Sequence, residues 1–278
     1  MSFNCTQYPL RPQKIVAIAT DKYLTPTTPF PDPVNLPGVV LKYGQDITSG
    51  MGRAAPAKQS VGTSVGDLKP KMEKLLQIFA SGDKSGMARR LFDAFLKKQG
   101  TVTFFEDASL NAAGAQHQNI KDFCSAALSA PNSPRKSIGK TRIHQALENA
   151  KWDIDKIIVP TDLGVPAFNT GNKVFHTDDF DNGLGLMING VQYAYVVARN
   201  YHYDATENKY CVTLRFLFYD VFGLDDDDLK EYGASSDSFT ESDAAKGITA
   251  WWQLQHQFGY APLVTRIVVD RTFEVPTK

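Results

Sequence analysis
The strict period-two alternation of large side chains at 191–203 and 210–220 constrains this chain more than any other feature. In an extended strand, Val191, Tyr193, Tyr195, Val197, Arg199, Tyr201 and Tyr203 share one face. A polar turn at 205–208 leads into a second run with Val212, Leu214, Phe216, Phe218 and Asp220 on one face, while Thr213 and Arg215 point the other way. The pair reads as an antiparallel hairpin. A third alternating run at 262–275, with Leu263, Thr265, Ile267, Val269, Arg271 and Phe273 on one side, reads as a closing strand.

Between the hairpin and the closing strand the period changes. The Phe222-Gly223-Leu224-Asp225 corner opens a short acidic helix, and 243–258 reads as a second helix with Ile248, Trp251, Trp252, Gln255 and Phe258 along one side. Gly259 suits its C-terminus. Upstream, Leu68, Met72, Leu75, Leu76 and Phe79 form a helical stripe over 67–80, with Pro70 in the first turn. Met87, Leu91, Phe92, Phe95 and Leu96 repeat the pattern, and 81–85 joins the two as a helical hairpin. Further helices are expected at 119–128 and 140–150. The fold class is therefore α+β: a helical middle region, an antiparallel β-hairpin, a Trp-bearing helix and a closing strand.

The first 66 residues read differently. Prolines at 9, 12, 26, 29, 31, 33, 37 and 56 fix φ and remove backbone donors, so regular structure there is short, at 14–19 and 39–43. Residues 1–66 are thus expected as a proline-rich arm and 67–278 as the α+β domain.

Composition removes some function classes. Thirty Lys and Arg balance thirty Asp and Glu, so no net field draws the chain to nucleic acid or to an anionic membrane surface. Cys5, Cys124 and Cys211 are odd in number and far apart in sequence, which suits neither a disulfide framework nor a cysteine zinc site, and points to a reducing cytoplasm. The opening residues lack the basic start and apolar run of a signal peptide, and no run is long and apolar enough for a spanning helix. Nor does 61–66 make a phosphate loop, because Gly62 and Gly66 are followed by Asp67-Leu68 and not by Lys-Ser/Thr.

Several blocks occur together in a characteristic order. They are Leu110-Asn111-Ala112 with His117 and Phe123, Pro166-Ala167-Phe168, Gly183-Leu184-Gly185-Leu186, Tyr219-Asp220-Val221-Phe222-Gly223-Leu224-Asp225 with Asp228, and Gly247-Ile248-Thr249-Ala250-Trp251-Trp252-Gln253-Leu254-Gln255-His256 before Pro262. In these blocks the chain resembles a proteobacterial family, domain of unknown function 3289, over 67–275. Val221 stands where the family pattern has a larger polar residue, and Ile248-Thr249 replaces a Phe-Arg pair. The resemblance implies an antibacterial effector toxin delivered by a type VI-like secretion system. Such a protein resides in the producer's cytoplasm and enters the target cell without a signal peptide. Its partners would be an immunity protein and a component of the secretion machine, and its target the bacterial envelope. The resemblance carries no assigned chemistry.

Candidate chemistry therefore comes from the residues. His176, Asp178 and Asp181 form a short segment suited to a divalent metal, and His176 with Asp179 could share a proton in hydrolysis. The same segment also fits a solvated acidic loop before a strand. Alternation puts Asp220 on the face of Phe216 and Phe218, where desolvation would suit it to acid-base work. Its other role would be to bond backbone amides of the Phe222-Gly223 turn. Asp225 and the acidic residues after it read as a helix cap and first turn. His117, His144 and His256 read as structural, and Trp251 and Trp252 as core. With Asp220, His176 and Asp179 the chain would be a hydrolase of the cell wall or its lipid-linked precursors. Two other expectations remain open: a membrane-active protein inserting the Tyr-rich hairpin, and a non-toxic adaptor of a secretion or phage-like particle.

Overall fold
The computed structural model describes residues 4–20, 63–98, 100, 103–128, 140–160, 164–166, 182–188, 190–234 and 242–277. The strands are β1 (Pro9–Thr20), β2 (Thr103–Phe105), β3 (Tyr193–Asp204), β4 (Lys209–Phe222) and β5 (Leu263–Pro276). The helices are α1 (Val65–Phe79), α2 (Ser85–Leu96), α3 (Ala108–Gln116), α4 (Gln118–Ala126), α5 (Lys140–Asn149), α6 (Leu184–Met187), α7 (Asp226–Tyr232) and α8 (Asp243–His256). The class is α+β, as the sequence pattern predicts. The expected strand at 39–43 lies outside the described residues.

One five-stranded sheet runs in the order β1-β3-β4-β5-β2. All neighbours are antiparallel except β5 and β2. The predicted hairpin is β3–β4, with Asp204 paired to Lys209 at its turn, and β4 pairs along its whole length with β5 from Lys209↔Pro276 to Phe222↔Leu263. The hairpin is therefore the centre of the sheet. β1 belongs to the same sheet, although it lies within the first 66 residues. It spans more than the predicted 14–19, and its prolines are tolerated because β1 is an edge strand. Its outer side is partly covered where the Ile18 amide donates to the Pro160 carbonyl at 2.9 Å.

The alternation of β3 breaks once. Its register with β4 shifts between Ala198 and Asn200, leaving Arg199 as a bulge. Sequence alternation puts Tyr193 and Tyr203 on one face, but the extra residue reverses the second half of the strand. Tyr193, Tyr195 and Val197 pack on one side with Ile18, Leu217, Tyr219, Val221 and Val264. Tyr201 and Tyr203 join the opposite, helix-covered side with Tyr210, Val212, Leu214 and Phe216. Further along the first side, Arg215 holds Asp270 through two hydrogen bonds of 2.8 Å and Arg199 reaches the same carboxylate at 3.1 Å.

Local chemistry sets the helix ends. Ser64 and Asp67 form a capping box at α1, the Ser64 hydroxyl accepting from the Asp67 amide and the Asp67 carboxylate from the Ser64 amide. The helix thus starts two residues before the predicted position, and Pro70 falls in its second turn. There the missing N–H deprives the Gly66 carbonyl of its helical donor. Asp107 caps α3 by accepting from the amides of Ser109 and Leu110, while the Arg90 guanidinium bonds its other oxygen at 2.8 Å.

The helical layer is fastened by close approach and by rings. α8 packs along α1, and the contact depends on Gly247. A Cβ there would meet Leu75 Cγ at 2.7 Å and the Lys71 carbonyl oxygen at 3.1 Å. Phe92, Phe95, Phe222, Trp251 and Tyr260 form one aromatic cluster, with Phe222 and Trp251 centroids 4.3 Å apart. At the other end of the sheet, Trp152 stacks on Tyr203 and Tyr210, and the Tyr210 hydroxyl meets His144 Nδ1 at 3.0 Å. Such rings contribute both buried area and about 0.5–1.5 kcal/mol per favourable pair.

Replacement of Gly247 weighs two opposed effects. Losing a helical glycine gains up to about 1 kcal/mol in propensity, whereas overpacking a tight helix contact costs about 1–3 kcal/mol. For Gly247→Val the steric effect dominates, since β-branching cancels part of the propensity gain. Urea denaturation should show a loss of about 2 kcal/mol; an unchanged midpoint would mean that α1 and α8 are farther apart than described.

Candidate functional site
The end of β4 carries a buried acidic residue. Asp220 pairs with Thr265 of β5, and the two residues are 7% and 0% exposed. The Thr265 hydroxyl donates to the Asp220 carbonyl at 3.4 Å. Gln192 directly precedes Tyr193, the first residue of β3, whose partner on β4 is Tyr219. The Gln192 amide donates to the Tyr219 carbonyl at 2.9 Å, and its side-chain Oε1 is buried without a hydrogen-bond partner. Asp220 and Thr265 thus form a polar row across β4 and β5. The row before it contains Ala194, Phe218 and Ile267, and the row after it Phe222 and Leu263, all buried and apolar. Buried polar groups in such a setting cost free energy unless satisfied, so they are rarely retained for packing alone.

Beyond the row, the chain turns at the Phe222–Asp225 corner, which two side chains of α8 hold in place. Gln255 Oε1 accepts from the Leu224 amide at 3.0 Å, and its Nε2 donates to the Leu224 carbonyl at 2.9 Å. His256 Nε2 reaches that carbonyl at 2.7 Å, which requires the proton on Nε2, and its ring stacks on Trp252 at 4.7 Å. Gly223 lets the strands come this close: a Cβ there would sit 3.0 Å from Pro262 Cβ and 3.1 Å from Gln255 Oε1. Asp225 and Asp228 then exchange amide bonds of 2.9 and 3.0 Å as the capping box of α7.

Each residue singled out from sequence can now be located. Asp220 is on the helix-covered face with Phe216 and Phe218, as alternation requires. His176, Asp178, Asp179 and Asp181 lie outside the described residues. Among the described residues, no group of three or more His, Cys, Asp or Glu could hold a metal ion. The acidic run from Asp225 is a cap and first turn. His117 accepts from the Asn119 amide at 3.2 Å as the cap of α4, and His144 and His256 have the partners given above. Trp251 and Trp252 are core, 5% and 1% exposed, and Trp251 Nε1 has no hydrogen-bond partner. Gln255 and Gln192 were not singled out as site residues from sequence. The signal for Gln255 was present as the one amide in the apolar stripe of α8; Gln192 falls just ahead of its strand and has no such mark.

The chain matches no family model, no curated protein and no solved structure. No helix among the described residues is long and apolar enough to cross a membrane.

Gln255→Leu removes both bonds to Leu224 while keeping the volume. His256 still serves the carbonyl, so the loss is that of one buried unsatisfied amide, about 1–3 kcal/mol. A denaturation curve that matches the wild type would show that the corner does not depend on this clamp.

Proposed function
We propose that this chain is an antibacterial effector acting on the target cell envelope, as a hydrolase of the cell wall or its lipid-linked precursors, with Asp220 as its acid-base group. The observation that carries the reading is the burial of Asp220 in a polar row between two apolar rows of the sheet. A carboxyl group held inside the fold is a candidate for acid-base work. The resemblance of 219–225 and 247–256 to the family of effector-like domains supports the biological setting. In this reading His176 and Asp179 complete the acid-base set, and His176, Asp178 and Asp181 would hold a divalent metal. An immunity protein and a component of the secretion machine are the expected partners.

The hydrolytic reading is favoured over membrane insertion by the position of the hairpin. β3 and β4 are hydrogen-bonded to each other and to β1 and β5 on their outer sides. Insertion would have to unpair both neighbours and expose backbone groups to lipid, each at a cost of several kcal/mol. The hairpin is better suited to holding Asp220 in place than to leaving the sheet.

Expression directed to the periplasm of a susceptible bacterium tests the proposal. Wild-type protein should arrest growth and release muropeptides or precursor fragments. Asp220→Asn should keep the thermal midpoint but lower the release rate about 10²- to 10⁴-fold, the range for loss of a general acid or base. No growth defect in either periplasm or cytoplasm would remove the effector reading, and a folded, fully toxic Asp220→Asn protein would remove Asp220 from the chemistry.

A further inference from the structure
Cys5 and Cys211 are 206 positions apart in sequence yet meet in the fold. Cys5 lies in a single 3₁₀ turn, Cys5–Gln7, which packs on β3 and β4. Cys211 lies in β4 opposite His202 of β3. Three contacts hold the turn there. The Asn200 side-chain amide donates to the Thr6 carbonyl at 3.4 Å, the Tyr201 amide donates to the Tyr8 carbonyl at 3.0 Å, and the Tyr8 ring stacks on His202 with centroids 3.9 Å apart. The turn that carries Cys5 is thereby seated on β4 next to the residue pair His202–Cys211, and each thiol lies within the other's surroundings. Both are free and only 2% and 1% exposed. The third cysteine, Cys124 in α4, belongs to the helix-covered core.

We propose that Cys5 and Cys211 form a reversible disulfide when the protein meets an oxidising disulfide, and that this bond fastens the 3₁₀ turn and the start of β1 to the central strand. The inference is independent of the hydrolase reading. The oxidant is a small-molecule disulfide such as oxidised glutathione. One protein thiolate attacks an oxidant sulfur, breaking its S–S bond and expelling one thiolate. The second cysteine then loses its proton to solvent, and its thiolate attacks the protein sulfur of the mixed disulfide and expels the second oxidant thiolate. Two cysteine thiols are oxidised, the two protons they lose end on the two expelled thiolates, and one disulfide is thereby reduced to two thiols.

Burial pushes both thiols above their ordinary range, so the reduced pair is a poor nucleophile while the turn is seated. Exchange therefore depends on transient opening of the turn, whose flanking Asn4 and Thr6 are exposed. Closing so long a loop restricts the unfolded chain strongly, which makes the bond stabilising if its geometry is unstrained.

The test uses the full chain, reduced and then incubated with oxidised glutathione, with and without low urea to open the turn. Thiol titration after denaturation should fall from three to one. Peptide mapping should link Cys5 to Cys211, and the thermal midpoint should rise and return on reduction. Cys5→Ser and Cys211→Ser should each block formation of the intramolecular bond. Three thiols persisting even in low urea, a link that uses Cys124, or glutathione adducts without an internal bond would each overturn the proposal.

Discussion

The structure depends on β4 having no free side. Both of its edges are hydrogen-bonded along nearly their whole length, and every side chain from Phe216 to Phe222 is buried. A strand in that position tolerates a polar residue only if its surroundings are built around it. Asp220 is that residue: Thr265 is its buried partner on β5, and the Gln255 clamp and the closeness allowed by Gly223 hold the corner that follows it. The aromatic cluster of Phe92, Phe95, Phe222 and Trp251 closes the same end from the helical side.

Much of this was legible because burial leaves a period. β4 and β5 keep their alternation from end to end, and α1, α2 and α8 carry apolar stripes, so the sequence reading and the structure agree there. It failed where no period exists. α3 is rich in Ala and buries only Leu110 and Gly114, so it has no stripe to detect. β2 has three residues, too few for alternation to register. The bulge at Arg199 reverses a pattern that reads as unbroken, because an inserted residue is silent in sequence and appears only in the pairing. β1 was masked at its start by Pro9 and Pro12, which an edge strand accepts.

The site was legible in part, for the same reason. Alternation placed the Asp220 side chain correctly, since its face is fixed by Phe216 and Phe218. The clamp by Gln255 joins residues 31 positions apart, and the approach of Cys5 to Cys211 spans most of the chain. Contacts of that kind follow from tertiary packing and have no local signature. His117 and the acidic run, by contrast, behave as their neighbours in sequence suggest, because capping is a local interaction, whereas His144 and His256 find partners 66 and 32 positions away.

A β4 that is locked at the centre of the sheet should open only when the whole protein unfolds. Native-state hydrogen exchange measures this directly, with and without anionic lipid vesicles. The account predicts that the amides of Phe216 to Phe222 are among the slowest to exchange, at the free energy of global unfolding, and that vesicles leave their rates unchanged. Exchange of these amides at a clearly lower free energy, or its acceleration by vesicles, would contradict the central claim and return the hairpin to the role of a mobile, membrane-seeking element.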